Sequence, residues 1–289
     1  MTYISIIMPV YNGEHTIERS ILSCIGQSEK DFELIIIDNG SNDNTKIVVN
    51  KFLNDKRINY ISINKKGRSH ARNIGLKRAK GKYIVFLDAD DTLNKNILEK
   101  GISILNENPE YFGYASSIRY IYENISKTFI KTPNVKTKFL YLNNQYPINS
   151  IIFRNENIEL FQVNLEHNED WLFFLKNLKD KEVYLDESNI GGSVFIHKDN
   201  TMKNYSEMIS SKLYVRYNYK ELFPNNFRIF IDNMKLLSYY IFLYENQNNY
   251  DLSEGYIFEK KIIRFFKDLP IFNNAIRKIL IKKIENNIY

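Results

Sequence analysis

Tyr83-Ile84-Val85-Phe86-Leu87-Asp88-Ala89-Asp90-Asp91 is the stretch whose reading decides the fold. An apolar and aromatic run passes directly into three carboxylates within four positions. The run predicts a strand buried on both faces, with the acids gathered at its C-terminal end. Clustered like charges in such a place cost free energy through repulsion and desolvation. A divalent cation resolves the conflict, because hard cations such as Mg2+ or Mn2+ take carboxylate oxygens and commonly share them with a phosphate. The plainer alternative is a strand followed by a solvated acidic turn, with Asp91-Thr92 starting a helix near Asn94. The surrounding sequence chooses between them.

Outward from this segment, residues up to about 110 alternate between two periodicities. Apolar runs at 4–10, 33–37, 58–63 and 83–87 predict strands. Helical spacing follows at about 14–26, 42–53, 69–79 and 94–106, with Ser41 and Thr92 as expected N-caps. Strand–helix alternation of this length implies βαβ units and a mainly parallel sheet. Ligands of such sheets sit at the carboxyl ends of the strands, near the switch in strand order. The polar punctuation falls there: Pro9-Val10-Tyr11-Asn12-Gly13, Asp38-Asn39-Gly40-Ser41 and Asp88-Ala89-Asp90-Asp91. From 111 to 197 the pattern loosens into aromatic strands (111–122, 148–153, 192–197) and a helix at 169–179. After about 203 it reads as helical throughout.

Composition narrows the class. The 289 residues are 44% hydrophobic and 26% charged, as expected of a chain that buries a sizeable core. Cys24 is the only cysteine, which excludes an intrachain disulfide and a cysteine metal cage; its neighbours Ile21, Leu22 and Ile25 predict a small core residue. No apolar run reaches the length of a membrane span, and the first residues enter a strand without a signal-like leader, so the expected location is the cytoplasm. The net charge of +6 is matched by residues 260–289 alone, where eight Lys or Arg face two acids. Ile276, Ile279, Leu280, Ile284 and Ile288 between them predict a basic amphipathic helix. Two readings of it stand: a helix packed on its domain, and a peripheral contact with the anionic inner face of the plasma membrane.

Dinucleotide and P-loop fingerprints are absent: the first strand ends in Pro-Val-Tyr-Asn-Gly, and Gly75 to Gly81 is followed by Lys82-Tyr83. What is present, in order, is Pro9-Val10-Tyr11-Asn12, Ile37-Asp38-Asn39-Gly40-Ser41, Gly67-Arg68-Ser69-His70-Ala71-Arg72-Asn73, Asp88-Ala89-Asp90 and Glu169-Asp170-Trp171. Together these resemble the family 2 glycosyltransferases, closely over residues 3–110, moderately to about 200, and not beyond. The resemblance implies a GT-A fold, a Rossmann-like α/β architecture with a mainly parallel sheet flanked by helices. It would occupy residues 1–200, as a nucleotide-sugar half (1–110) and an acceptor half (111–200), with a helical region at 201–289. It also implies inverting transfer of a single hexosyl or N-acetylhexosaminyl unit from a nucleotide-diphosphate sugar to a glycan, glycolipid or glycoprotein hydroxyl on a bacterial surface polymer. The Gln-x-x-Arg-Trp segment of processive synthases is missing.

The residue roles implied by the resemblance are chemically reasonable. Pro9 and Tyr11 would pack on the nucleobase, with Asp38 or Asn39 at its edge. Asn39 stands where the family often has a second acid, and its amide both donates and accepts, which suits UDP and leaves dTDP open. Arg72 would contact the donor, with Ser69 and Asn73 shaping its loop; a helix N-terminus with a solvated arginine is the bland reading. Asp88 would meet ribose or the metal shell, and Asp90 would ligate Mn2+ or Mg2+. His197 would complete that shell or serve structurally. Asp170 is the expected general base, with Glu169 as fallback and Trp171 raising its pKa or stacking on the acceptor. Three other readings are a non-catalytic sugar-nucleotide binder, a basic membrane adaptor and a nucleotidyltransferase; the last wants a Gly-rich basic loop where Tyr11-Asn12-Gly13-Glu14 stands. Nucleic acid is not an expected partner, and the aromatic helices after 203 offer a homodimer face.

Overall fold

The computed structural model describes residues 3–64, 67–122, 127–133, 137, 140–144, 146–196, 205–224, 229 and 232–233. Two compact units divide the chain, Met1–Lys198 and Asp199–Tyr289. The first opens with β1 (Ile4–Val10), α1 (Ile17–Ile25), β2 (Phe32–Asp38), α2 (Thr45–Asn50), β3 (Ile58–Ser62), α3 (Arg68–Arg78) and β4 (Tyr83–Phe86). It continues with β5 (Thr92–Leu93), α4 (Ile97–Glu107), β6 (Gly113–Tyr122), β7 (Lys127–Lys131), β8 (Ile151–Arg154), α5 (Glu169–Leu178) and β9 (Val183–Ile196). Among the described residues these strands form a single sheet in the order β3-β2-β1-β4-β8-β6-β9-β5, with β7 also paired to β6.

β3, β2, β1 and β4 are mutually parallel, and the sheet turns antiparallel at β8. β1 and β2 are buried at every position, which is why both read as unbroken apolar runs. Ile4, Ile6, Met8 and Val10 face Ile17, Ile21, Cys24, Val49, Ile97 and Leu98, so α1, α2 and α4 cover one face. Cys24 is wholly buried there, and burial pushes its thiol up to about 12, as fits an inert core residue. α3 covers the other face. A Cβ on Gly75 would stand 2.3 Å from Ile7 Cγ2, so only glycine lets that helix lie so close to β1.

Beside α3 an aromatic cluster fixes α5. Phe173 stacks on Phe161 with centroids 4.1 Å apart, and both meet Phe86 edge-on at 5.5 and 5.2 Å. Phe86 is the last residue of β4, so the start of α5 is anchored beside the Asp88 loop. The second unit contains α6 (Tyr205–Asn218) and a short 3-10 turn at Lys220–Leu222, and Arg216 of α6 donates to Asn233 at 2.8 Å. Residues 260–289, and with them the membrane-helix expectation, lie outside the described residues, as does most of the stretch after 203 expected to offer a dimer face.

Two expected caps are corrected. Ser41 does not cap α2, which begins four residues later; its hydroxyl instead accepts the Asn12 N–H at 2.9 Å. Thr92 starts no helix but belongs to β5, paired with Ser193 of β9.

Candidate active site

The strand order reverses between β1 and β4, and the crevice of such a sheet opens at that point. Here it opens for a covalent reason. β1 pairs with β2 as far as Val10 opposite Asp38, but with β4 only as far as Ile7 opposite Phe86, plus one bond from Leu87 N–H to the Ile7 carbonyl. Pro9, two residues beyond Ile7 and so facing the same neighbour, has no N–H to continue that ladder. Tyr11 and Asp88 lie just past the parted strands.

On the β1–β2 side, two loops are laced together. Asn12 N–H donates to Ser41 Oγ and Asn42 N–H to Asn12 Oδ1, both at 2.9 Å. Gly13 N–H donates to Thr45 Oγ1 at 2.8 Å, Glu14 N–H to Asp43 Oδ2 at 3.0 Å, and Asn44 N–H back to Glu14 Oε2 at 2.8 Å. Asp38 is buried and spends both oxygens internally, on Ser41 N–H at 2.8 Å and the Tyr60 hydroxyl at 2.5 Å. Asn39 beside it gives its N–H to Val10, while its Oδ1 is buried without a partner. Tyr11, next after β1, is 46% exposed.

On the β4 side a charge network joins three elements. Arg72 of α3 is buried and donates to Asp88 Oδ1 at 2.8 Å and Glu169 Oε1 at 2.9 Å. Burial opposes its charge, but Asp88 and then Glu169 outweigh that and hold Arg72 above its ordinary range. Arg68, one helical turn earlier, reaches the same Glu169 oxygen at 3.0 Å. Glu169 is thereby committed to two guanidiniums. Asp170 is half-buried, accepting Asn144 Nδ2 at 2.7 Å and the Trp171 N–H at 2.7 Å. Desolvation, and secondly the Glu169 charge, push its carboxyl up to about 6 against the pull of Arg72.

Asp91 is the third acid of the loop. It is buried and accepts Asn149 Nδ2 at 3.2 Å and the Phe195 N–H at 3.1 Å. Burial first, then the neighbouring Asp90 and Asp88 charges, hold its carboxyl well above the usual range. Arg19 of α1 donates to the Asp90 carbonyl at 2.7 Å and lays its guanidinium 3.5 Å from the Phe195 ring centre. Asp88 and Asp90 themselves stay partly open, the Asp88 side chain 34% exposed. Unpaired buried polar atoms cluster around this region: Asn39 Oδ1, Ser69 Oγ, Arg72 Nε and Asn149 Oδ1. Folded proteins seldom leave such atoms unsatisfied, and a ligand site is a common reason.

The sequence profile of the family described as glycosyl transferase family 2 matches residues 5–162, more than half of the chain and the segment that builds this crevice. The chain belongs to that family. The glycosyltransferase is 34% identical over 181 residues to the Escherichia coli UDP-Glc:alpha-D-GlcNAc-diphosphoundecaprenol beta-1,3-glucosyltransferase WfgD, covering 62% of this chain and 71% of that one. Its fold resembles Staphylococcus aureus TarS residues 1–349 in complex with UDP-GlcNAc, with TM-score 0.62, 18% identity and 99% and 89% of the two chains covered. It also resembles the Pyrobaculum calidifontis mannosyltransferase PcManGT in complex with GDP-Man and Mn2+, with TM-score 0.59, 13% identity and 99% and 87% covered. The architecture is thus the GT-A fold.

Of the residues expected from sequence, the glycosyltransferase brings Pro9, Tyr11, Asp38, Asn39, Arg72, Asp88, Asp90 and Asp170 to the carboxyl ends of its strands. His197 lies outside the described residues. Arg72 is no solvated helix-start arginine but the buried hub of the network. Trp171 stacks on no acceptor: it is fully buried and gives its indole N–H to the Leu140 carbonyl at 2.7 Å. Asn73 lies within α3 and not in a loop, and it exchanges hydrogen bonds with the Phe161 backbone at 2.9 and 2.7 Å. Sequence reasoning passed over Arg19, Asn144 and Asn149, quoted Arg68 in its motif without a role, and read Asp91 only as one of the clustered acids or as the start of a helix. Arg68 and Arg72 stand at i and i+4 on one helix, a signal available in the sequence; the asparagines gave none.

Proposed function

We propose that the glycosyltransferase moves one sugar, with inversion, from a UDP-sugar to a hydroxyl of a glycan or glycolipid acceptor, with Asp170 as general base. The observation that carries this reading is the division of labour between adjacent acids. Glu169 is neutralised by Arg68 and Arg72, whereas Asp170 keeps a carboxyl pushed up to about 6, near the pH at which a base works best. An incoming hydroxyl gives its proton to Asp170 as its oxygen attacks the anomeric carbon. Asn144 Nδ2 and the Trp171 N–H hold that carboxylate in direction.

The donor diphosphate leaves from the β4 side. Asp88 and Asp90 are hard oxygen donors, partly open at the crevice, and they fit a divalent cation that shares phosphate oxygens. When bound there, Mn2+ or Mg2+ would offset the charge of the departing diphosphate. The PcManGT complex with Mn2+ supports such use. Arg72 fixes Asp88 in place. Asn39 Oδ1, an unsatisfied buried acceptor just past β2, suits the N3–H of a uracil edge, and the UDP-sugars named for WfgD and TarS support that donor class. Calorimetry with UDP and dTDP, with and without Mn2+, on the wild type and Asp90→Ala tests the reading. Metal-dependent UDP binding that Asp90→Ala abolishes is expected; absence of binding to either nucleotide overturns it.

A further inference from the structure

The β6–β7 hairpin carries a built surface that the donor reading does not use. Its register sets Ile118 opposite Lys131, Tyr120 opposite Phe129 and Tyr122 opposite Lys127. Alternation puts these six side chains on one face, and Arg119, Ile121, Thr128 and Ile130 on the other. On the first face Tyr120 and Phe129 stand in parallel with centroids 4.7 Å apart, and Tyr122 leans on Phe129 at 6.0 Å. Tyr120 is buried, yet Phe129 remains 41% exposed, an aromatic surface left open to solvent. The hairpin borders the site: β6 lies beside β9 with Ile121 opposite Phe195, whose N–H donates to Asp91 at 3.1 Å. Burial lowers the pKa of the half-buried Lys131, and the Asp170 carboxylate opposes that shift.

We propose that this face is the acceptor subsite, and that it takes a pyranosyl ring bearing a phosphate ester, the ring against Phe129 and the phosphate at Lys131. The proposal rests on Asp170 being the base. An open aromatic face suits the axial C–H face of a sugar, and a cation on the same strand face suits a phosphate better than a neutral glycan. A strand edge that needed only protection from pairing would gain as much from lysines on either face. Here both lysines of β7 share the face that carries the rings.

The test is binding to UDP-loaded protein, read by calorimetry with two matched probes: the decyl diphosphate of N-acetylglucosamine and neutral decyl N-acetylglucosaminide. The expected result is at least a tenfold preference for the diphosphate. Lys131→Met, which keeps the apolar stem, should cut that preference about tenfold, the scale of one charge-assisted hydrogen bond. Phe129→Ala should weaken both probes, and Arg119→Ala on the opposite face should leave the ratio unchanged. Equal binding of the two probes, binding of neither with UDP binding intact, or equal loss in Lys131→Met and Arg119→Ala overturns the subsite. Ribitol 5-phosphate bound more tightly than the glycosyl diphosphate overturns the ring half of the proposal. Loss of UDP binding in the wild type instead overturns the underlying reading, so the two failures are told apart.

Discussion

Replacing Arg72 by methionine asks how much the charge network holds. The side chain is 2% exposed and its guanidinium pairs Asp88 at 2.8 Å and Glu169 at 2.9 Å. Removing one partner of a buried pair typically costs about 3–5 kcal/mol, because a charge is stranded away from water. Asp88, 34% exposed, can turn to solvent, and Glu169 keeps Arg68 at 3.0 Å, so the loss should sit at the low end, about 3 kcal/mol. At about 2–4 °C per kcal/mol for a chain of this size, the unfolding midpoint should fall by about 6–12 °C. Glu169→Gln added to Arg72→Met removes the stranded anion and should recover part of that loss. Arg72 also holds down the Asp170 pKa, so its removal should move the acid limb of the rate profile upward from about 6. Scanning calorimetry and a pH–rate profile read both effects. An Arg72→Met midpoint within about 2 °C of the wild type would refute the reasoning, since no buried charge would then depend on this guanidinium.

With Arg72 intact, kcat/KM should rise with pH through about 6 as Asp170 loses its proton, and flatten above; a profile flat down to pH 5 counts against Asp170 as base. Asp170→Asn should lower kcat by roughly 100-fold to 10,000-fold with UDP affinity unchanged, measured by UDP release beside calorimetry. Because Asn39 Oδ1 has no protein partner, Asn39→Ala should weaken UDP binding about two- to tenfold while leaving thermal stability nearly untouched. A large drop in the midpoint would mean that the amide serves the fold instead. Gly75→Ala forces a methyl against Ile7 and should cost about 1–3 kcal/mol in denaturant unfolding, with Ile7→Ala less harmful in that background than in the wild type.

Much of residues 1–110 was legible because the information there is local. β1, β2 and β4 are continuous apolar runs that end in polar residues, and such runs have few other folded solutions. The acids at those ends read as a site for the same reason. Ser41 and Thr92 misled because a hydroxyl before a helical stretch has several uses, and here the partners were Asn12 across a loop and Ser193 across the sheet. β5 has two residues and β7 is an exposed edge strand, so neither carries a strong pattern of its own. Arg72 and Glu169 are 97 positions apart, and long-range contacts bring them together, the aromatic cluster under α5 and the Asn73–Phe161 bonds among them. Of the two uses read for Trp171, stacking on an acceptor does not fit its burial: Asp170 beside it is half-buried, while the indole turns fully into the core.

The lacing of residues 12–14 to 41–45 has a practical consequence for protein engineering. Five reciprocal bonds, given and received by both segments, make the two loops one exchangeable part. Grafting either loop alone from a homologue would leave amides and carboxylates facing strangers. Transplanting both as a cassette keeps every bond within the donated piece. Recombination breakpoints that preserve the fold should therefore fall outside residues 11–45, and libraries that vary one loop should vary the other with it.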